Sequence, residues 1–195
     1  MTAAEKLATL DDLAALIRDG KRVELIDNSL VELVPPMPEH GRAAVQFGAQ
    51  VARHFDPGGG SGGRGGWWIL TEVEVRFTPR RVLRPDVVGW RRERLPSPWG
   101  KWPVDVVPDW VCEVISPGNE AHDRVLKRRI YASSGVAHYW LLDIRNRCLE
   151  ALTLRDGRWV EDGVFDESEA VRIAPFAEIE LRVGDFLPPL EATAA

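Results

Sequence analysis

The stretch that decides the fold is residues 110–143, which read WVCEVI at 110–115, SPGNEAHDRVLKRRIYASSGV at 116–136 and AHYWLLD at 137–143. The first run is apolar on both faces except at Glu113, which is typical of a central strand covered on both sides. The last run predicts a second buried strand. The order of strand, helix and strand predicts a crossover unit with parallel strands.

The middle segment predicts a helix over residues 120–134. Asn119 is the expected N-cap, because its side chain can accept a hydrogen bond from the first turn. Gly135 follows the last periodic residue and is expected to end the helix.

Helices and strands are also predicted on both sides of this unit. Helices are expected at 10–18, with Thr9 as the cap, and at 39–55; strands at 22–26, 30–34, 67–77 and 85–90; and antiparallel strands beyond 147. The segment between 90 and 110 is expected to leave the sheet. The sequence therefore predicts an α/β fold in which helices flank a mixed β-sheet, with an antiparallel C-terminal extension.

The chain is expected to form a single domain over 1–195, with its core at about 10–185. Residues 57–66, PGGGSGGRGG, are expected to form a mobile loop, because glycine leaves little to pack and has high backbone entropy. A strand rather than a helix follows this loop, which argues against a phosphate-binding loop. Residues 191–195 are expected to be frayed.

Composition excludes several classes of protein. The 195 residues are 45% hydrophobic and 28% charged, values that argue against a wholly disordered or collagen-like chain. No apolar run reaches the roughly 18 residues of a membrane span, and the first residues do not resemble a signal peptide. Two cysteines are too few for a disulfide framework. We therefore expect a cytoplasmic protein without a membrane partner.

The net charge of −5 argues against binding nucleic acid by bulk attraction. Arginines nevertheless crowd two segments, at 76–94 and 124–129. Two interpretations of these clusters stay open. They can form the solvated face of ordinary elements, or they can contact phosphates.

Two acids lie in apolar surroundings and need an explanation. Glu113 is embedded in the central strand, and Asp86 precedes the run VVGW at 87–90. Carboxylates on neighbouring strands repel each other unless a cation or a proton lies between them, and hard oxygen ligands suit Mg²⁺ or Mn²⁺. The alternative is that Asp86 ends a turn and that Glu113 pairs with an arginine.

Lys127 is the third candidate. Asp123, Lys127 and Tyr131 are spaced four residues apart, so they share one face of the predicted helix. An ordinary pair between the aspartate and the lysine on the helix surface would produce the same spacing. Ser116, His122 and Asp123 do not indicate a hydrolase triad, because nothing fixes their geometry.

A set of motifs in the right order resembles a known family. The motifs are ELID at 24–27, His40-Gly41, Arg84-Pro85-Asp86, EVISP at 113–117, Asp123-Arg124 with Lys127 and Tyr131, and GVAHYW at 135–140 with Asp143. Together they resemble the Uma-type restriction endonucleases of the PD-(D/E)XK nuclease superfamily. The resemblance covers about residues 10–185 and implies a restriction-endonuclease-like core.

The resemblance implies a Mg²⁺- or Mn²⁺-dependent endonuclease that hydrolyses DNA. Asp86, Glu113 and the Val114 carbonyl would bind the metal. The superfamily's simplest pattern has a lysine two residues after the glutamate, where this chain has Ile115. The family is thought to supply the lysine from the following helix, where Lys127 matches.

Further residues receive secondary roles. The additional site candidates are His40, Glu32 and Asp123, and the expected DNA contacts are Arg84, Arg124, Arg128 and Arg129. Glu24 is interpreted as a partner in a structural salt bridge. Replacement of Lys127 by alanine is expected to remove cleavage and to leave the fold largely intact.

Two alternative functions stay open. The first is a nuclease fold that binds nucleic acid but cleaves nothing, as the acidic net charge suggests. The second is a homodimeric regulatory module, for which exposed Trp99 and Trp102 would supply the contact surface.

Overall fold

A six-stranded sheet lies at the centre of the computed structural model, which describes residues 7–56, 65–115, 118 and 120–189. The helices are α1 (Leu10–Arg18), α2 (Pro38–Phe55) and α3 (Arg128–Ser134). The strands are β1 (Val23–Ile26), β2 (Ser29–Glu32), β3 (Trp67–Thr71), β4 (Val75–Thr78), β5 (Arg81–Leu83), β6 (Val87–Arg91), β7 (Trp110–Ile115), β8 (His138–Asp143), β9 (Cys148–Arg155), β10 (Arg158–Asp166), β11 (Ala170–Val171) and β12 (Leu181–Arg182). The cap at Asn119, most of the glycine loop and the C-terminal residues 191–195 lie outside the described residues.

The large sheet has the strand order β10-β9-β8-β7-β6-β3. Strands β7 and β8 are parallel, and every other neighbouring pair is antiparallel. The chain between β7 and β8 contains α3, so the crossover predicted from residues 110–143 is confirmed. The mixed α/β class is confirmed as well. No helix in the described ranges is both long and apolar enough to cross a membrane.

Helix α1 shows that local sequence chemistry fixes some elements directly. The Thr9 side chain accepts a hydrogen bond from the Asp12 amide at 3.3 Å, and the Asp12 carboxylate accepts one from the Thr9 amide at 2.9 Å. This reciprocal pair satisfies donors that the first helical turn would otherwise leave unpaired. The predicted bounds and cap of this helix are confirmed.

The strand predicted over residues 67–77 is wrong as a single element. The chain leaves the six-stranded sheet after β3 and enters a four-stranded sheet of order β2-β1-β5-β4. Glu72 has a φ of 55°, a left-handed conformation that ends the strand and redirects the chain. The Glu72 side chain pairs with Arg22 at 2.7 Å, which ties this turn to the β1 end of the small sheet.

The crossover helix differs from the regular helix predicted over residues 120–134. His122–Lys127 forms a π-helical segment, and regular α-helix begins only at Arg128. The Arg128 amide donates to the Asp123 carbonyl five residues back. Gly135 ends the helix with a φ of 81°, as expected from the sequence.

The large sheet is packed on both faces. Helix α2 and the C-terminal segment cover one face, where Phe47, Trp110, Trp140 and Phe176 are fully buried. Helix α3 and the small sheet cover the other face. Both acids of the candidate site project toward this second face.

Gly89 lies on β6 among bulky side chains of the two neighbouring strands. It is directly opposite Ile69 on β3 and Trp110 on β7. A Cβ atom at this position would lie 3.1 Å from the Ile69 Cδ1 and Trp110 Cε3 atoms and 3.3 Å from Trp67 Cε3. The two indole rings belong to the packed core and have little room to move.

We expect Gly89→Ala to lower the free energy of unfolding by about 1–2 kcal/mol, because overpacked cores are destabilised by roughly this amount. Gly41→Ala is the control, since a Cβ at that helical position meets nothing within 4 Å. It should be neutral or stabilising by up to about 1 kcal/mol. Urea unfolding of both variants measures the difference, and an unchanged Gly89→Ala variant would contradict this account of the packing.

Candidate active site

The strand register brings the two predicted acids together. Val87 on β6 pairs with Cys112 on β7 in antiparallel register, so the preceding residue, Asp86, lies opposite the following one, Glu113. Residues directly opposite each other in such a pair project to the same face. The Asp86 amide donates to Glu113 Oε2 at 3.3 Å, which links the two residues directly.

Asp86 is held by donors from two further groups. Its Oδ2 accepts a hydrogen bond from the Val114 amide at 2.8 Å and lies 3.1 Å from His40 Nε2. Burial alone would raise the pKa of Asp86, but His40, the Lys127 charge and the Val114 hydrogen bond together outweigh burial, and the pKa is lowered. The pKa of His40 is raised, because its interaction with Asp86 outweighs the opposing effect of burial.

Glu113, the acid of the central strand β7, is deeply buried, with 1% of its surface exposed. Its Oε1 accepts hydrogen bonds from Lys127 Nζ at 3.0 Å and from the Tyr131 hydroxyl at 2.5 Å. Burial raises the pKa of Glu113 well above its ordinary value, although the Lys127 charge opposes this effect. The nearby charges of Asp86 and Asp123 raise it further.

Lys127 lies among several carboxylates. Besides Glu113, its Nζ is 3.4 Å from Asp123 Oδ1 and 3.5 Å from Glu24 Oε1. Burial alone would lower the pKa of Lys127, but the surrounding acids outweigh it and raise the pKa well above its ordinary value. The ammonium is therefore charged at neutral pH.

Glu24 is a site residue that the sequence reasoning missed. Its side chain is fully buried, with Oε2 at 2.9 Å from His122 Nε2 and Oε1 accepting from the Arg84 amide at 2.9 Å. Burial opposes ionisation, but Lys127 and His122 outweigh it, and the pKa of Glu24 is lowered. The sequence signal for Glu24 was its place in the matched ELID motif. In the structure the strand that contains it, β1, is buried at all four positions.

A small cavity lies over these groups. Asp86, Glu113, Lys127, His40 and Asp123 line it, together with Arg22, Arg84, His122 and the connection between β2 and α2. Its volume of about 30 Å³ is enough for about two water molecules.

The donor chemistry of the cavity fits a hard divalent cation. Four buried carboxylates (Glu24, Asp86, Glu113 and Asp123) lie in this region, and three of them are within 3.5 Å of the Lys127 ammonium. Within the described residues no cluster of three or more His, Cys, Asp or Glu side chains is arranged to hold a metal ion. Mg²⁺ is commonly bound through only one or two carboxylates, with waters or phosphate oxygens completing its shell. Asp86 and Glu113 can supply that smaller set.

Several predicted residues lie apart from this group. Glu32 is exposed on β2 and pairs with Lys21 at 3.3 Å. The guanidinium of Arg84 reaches the cavity but is engaged by Glu74. Arg124 pairs with Asp143 and Glu150, each at 2.7 Å. Arg128 also contacts Glu150, whereas Arg129 is exposed on α3.

The overall arrangement is that of a nuclease fold. A solved structure described as a putative nuclease belonging to DUF820, from Anabaena variabilis ATCC 29413, superposes with a TM-score of 0.72. The alignment covers 91% of this chain and 96% of the other, at 18% sequence identity. At that identity the likeness concerns the fold alone. No curated protein matches the chain.

The family follows from the sequence itself. The pattern of the Uma2 family, described as "putative restriction endonuclease", matches residues 7–184. The chain belongs to this family. The resemblance inferred from the motifs is thereby confirmed, and the family description supports a nuclease.

Tyr131 provides a direct test of the site's electrostatics. We expect Tyr131→Phe to lower the free energy of unfolding by about 2 kcal/mol, because hydrogen bonds to charged groups contribute roughly 1.5–3 kcal/mol. Tyr139→Phe is the matched control: that tyrosine is also fully buried, and its hydroxyl donates to the neutral Asp123 carbonyl at 3.1 Å. Its loss should be about 1 kcal/mol. Chemical denaturation compares the two, and an equal or smaller loss for Tyr131→Phe would argue against an ionised Glu113.

Proposed function

We propose that the chain is a metal-dependent endonuclease that hydrolyses DNA phosphodiester bonds at this cavity. The observation that carries the proposal is the convergence of Asp86, Glu113 and Lys127, with Lys127 Nζ 3.0 Å from Glu113 Oε1. Membership of the Uma2 family, whose description is "putative restriction endonuclease", supports it. We also propose that the chain belongs to the PD-(D/E)XK superfamily, with the lysine supplied by the crossover helix instead of residue 115.

In this proposal Asp86, Glu113 and the Val114 carbonyl would hold Mg²⁺ or Mn²⁺. The bound ion would lower the pKa of a water molecule and polarise the phosphodiester. Lys127 would neutralise negative charge that develops on the phosphate oxygens, because an ammonium fixed in a buried site acts strongly on such charge. Tyr131 orients Glu113, and His40 orients Asp86, so both carboxylates are positioned before substrate arrives.

The four arginines that are expected to contact DNA differ in how strongly acidic side chains of the protein already engage them. Arg124 and Arg84 are engaged by acids of the chain, so we assign them to positioning the helix and the cavity wall. Arg128 and especially Arg129 retain donors for phosphate.

We also propose that the protein is located in the cytoplasm.

A second candidate function is a module that binds DNA without cleaving it. The narrow cavity favours this alternative, since Asp86 and Glu113 are 8% and 1% exposed and a phosphate must reach them. Binding of Mn²⁺ and DNA without plasmid nicking would support the module. A homodimer remains a further proposal, for which exposed Trp99 and Trp102 offer an apolar surface.

The main test is plasmid nicking with Mg²⁺ or Mn²⁺. Glu113→Gln should lower the rate at least about 100-fold, since several kcal/mol of charge stabilisation would be lost and each 1.4 kcal/mol is about tenfold. It should also weaken Mn²⁺ binding, which calorimetry measures independently of activity.

Glu32→Gln is the control, because it makes the same chemical change at an exposed glutamate outside the cavity. Its rate and Mn²⁺ affinity should equal those of the wild type. Wild-type nicking retained by Glu113→Gln would refute the assignment of this cavity as the active site.

Replacement of Lys127 requires two readouts. Because Lys127 is 4% exposed and pairs with buried acids, Lys127→Ala should lower the free energy of unfolding by about 3–5 kcal/mol. The burial of Lys127 therefore replaces the sequence-based expectation that Lys127→Ala leaves the fold largely intact. The rate per folded molecule should still fall by about 10²–10³.

Lys21→Ala is the matched control, because that lysine forms only a surface ion pair, at 3.3 Å, with Glu32. Its stability should change by no more than about 1 kcal/mol. Lys127→Arg retains the charge and serves as a second variant if Lys127→Ala does not fold. Full nicking activity in folded Lys127→Ala would show that the lysine has only a structural role.

A further inference from the structure

A second concavity lies on the outer side of the crossover helix. It is formed by the helical residues Arg124, Arg128 and Arg129 and by Arg158 and Trp159 of the β9–β10 hairpin. We call it the arginine groove. Its volume is about 490 Å³, within the range of ligand-binding clefts, whereas the cavity over Glu113 is far smaller.

The lining of the groove is rich in arginine although the chain as a whole is acidic. Four arginines line it, and none of its described lining residues is acidic. Glu150 holds Arg124 and Arg128 side by side from below, at 2.7 and 3.3 Å. Arg129 and Arg158 are exposed and direct their charge to solvent.

A second arginine flanks the hairpin turn beside the groove. Arg158 lies directly opposite Arg155 at the mouth of the hairpin. Like charges in directly opposite positions are destabilising. The turn between them contains one acid, Asp156.

The groove is held in shape before any ligand binds. The indole nitrogen of Trp159 donates a hydrogen bond to the Arg128 carbonyl at 2.8 Å, which ties the hairpin to the helix. The Trp159 ring also packs against Tyr139, with ring centroids 5.8 Å apart. A groove with fixed walls loses little entropy when it binds a charged ligand.

We propose that the arginine groove binds backbone phosphates of the DNA whose cleavage is proposed above, with Arg129 and Arg158 as the contacting residues. The inference rests on that proposed function. Guanidinium groups suit phosphate because they can donate two parallel hydrogen bonds.

The position of the arginine groove relative to the cavity would allow one DNA molecule to contact both. Lys127 faces the cavity, and the next two residues face the groove, so one helix about 10–12 Å wide separates the two. At about 3.4 Å per nucleotide along one strand, this width corresponds to three or four nucleotides. A scissile phosphate in the cavity would therefore have neighbours within reach of the groove.

The experiment measures binding of a fluorescent DNA duplex by anisotropy over a range of salt concentrations, with Ca²⁺ in place of Mg²⁺ to prevent cleavage. The test variant is Arg129→Gln combined with Arg158→Gln. The slope of log affinity against log salt should fall by about two, and affinity at 0.1 M salt should fall by about tenfold or more. Arg129→Lys with Arg158→Lys should restore most of the slope, because the charge is retained.

The control combines Arg172→Gln with Arg182→Gln, two exposed arginines whose contacts with Glu180 are 4.0 Å long. It changes the net charge by the same amount and should leave binding nearly unchanged.

If the test and control variants bind DNA equally, the groove proposal is overturned, while wild-type nicking would leave the proposed function intact. If the groove variants alone lose affinity but wild-type protein does not nick, the groove is supported and hydrolysis is refuted. Equal loss with an acidic polypeptide of matched charge would overturn the assignment to phosphate.

Discussion

The burial of one carboxylate in the central strand constrains the structure around it. Glu113 is only 1% exposed, so a charge on it must be compensated by groups of the protein. Lys127 and Tyr131 supply that compensation from the crossover helix. Lys127 is buried in turn, and Glu24 and Asp123 surround it. A single buried acid thus ties the strand β7, the helix and the small sheet into one electrostatic network.

The placement of the ammonium on a helix has a consequence for the strand. Ile115 lies two residues after Glu113, on the same face of β7, and is 3% exposed within the apolar cluster beneath α3. This position is therefore free to contribute to the core. The helix can deliver the charge because Tyr131 and Lys127 converge on the same carboxylate oxygen. The strand provides packing and the helix provides the cation.

Elements with strong local signals were predictable, and those set by distant contacts were not. The apolar run of β7 and the Thr9 cap were sufficient to give the exact bounds of two elements. The break between β3 and β4 was missed, because the alternating pattern continues through Glu72, whose left-handed conformation depends on its partners.

The residues of the candidate site also differ in whether the sequence alone could identify them. Asp86 and Glu113 were recognisable as acids in apolar runs, and the antiparallel register places them opposite each other. Lys127 was identified through the family resemblance, because its spacing from Asp123 is equally that of an ordinary helix pair. Glu24 belongs to the matched ELID motif, but its burial depends on contacts such as that with His122, 98 residues away, so a place in the site was not predicted for it. Glu32 was a secondary candidate, and it lies exposed at the end of its strand.

The crossover between the two parallel strands also bears on the order in which the chain assembles. Glu113 and Lys127 are separated by only 14 residues, whereas the contacts of Asp86 with Glu113 and with His40 span 27 and 46. Short loops close at the lowest entropic cost, so the unit of β7, α3 and β8 can form its charge pair early. The more distant acids can then dock against a carboxylate that already has its counter-ion. With this connectivity Glu113 can be buried together with Lys127.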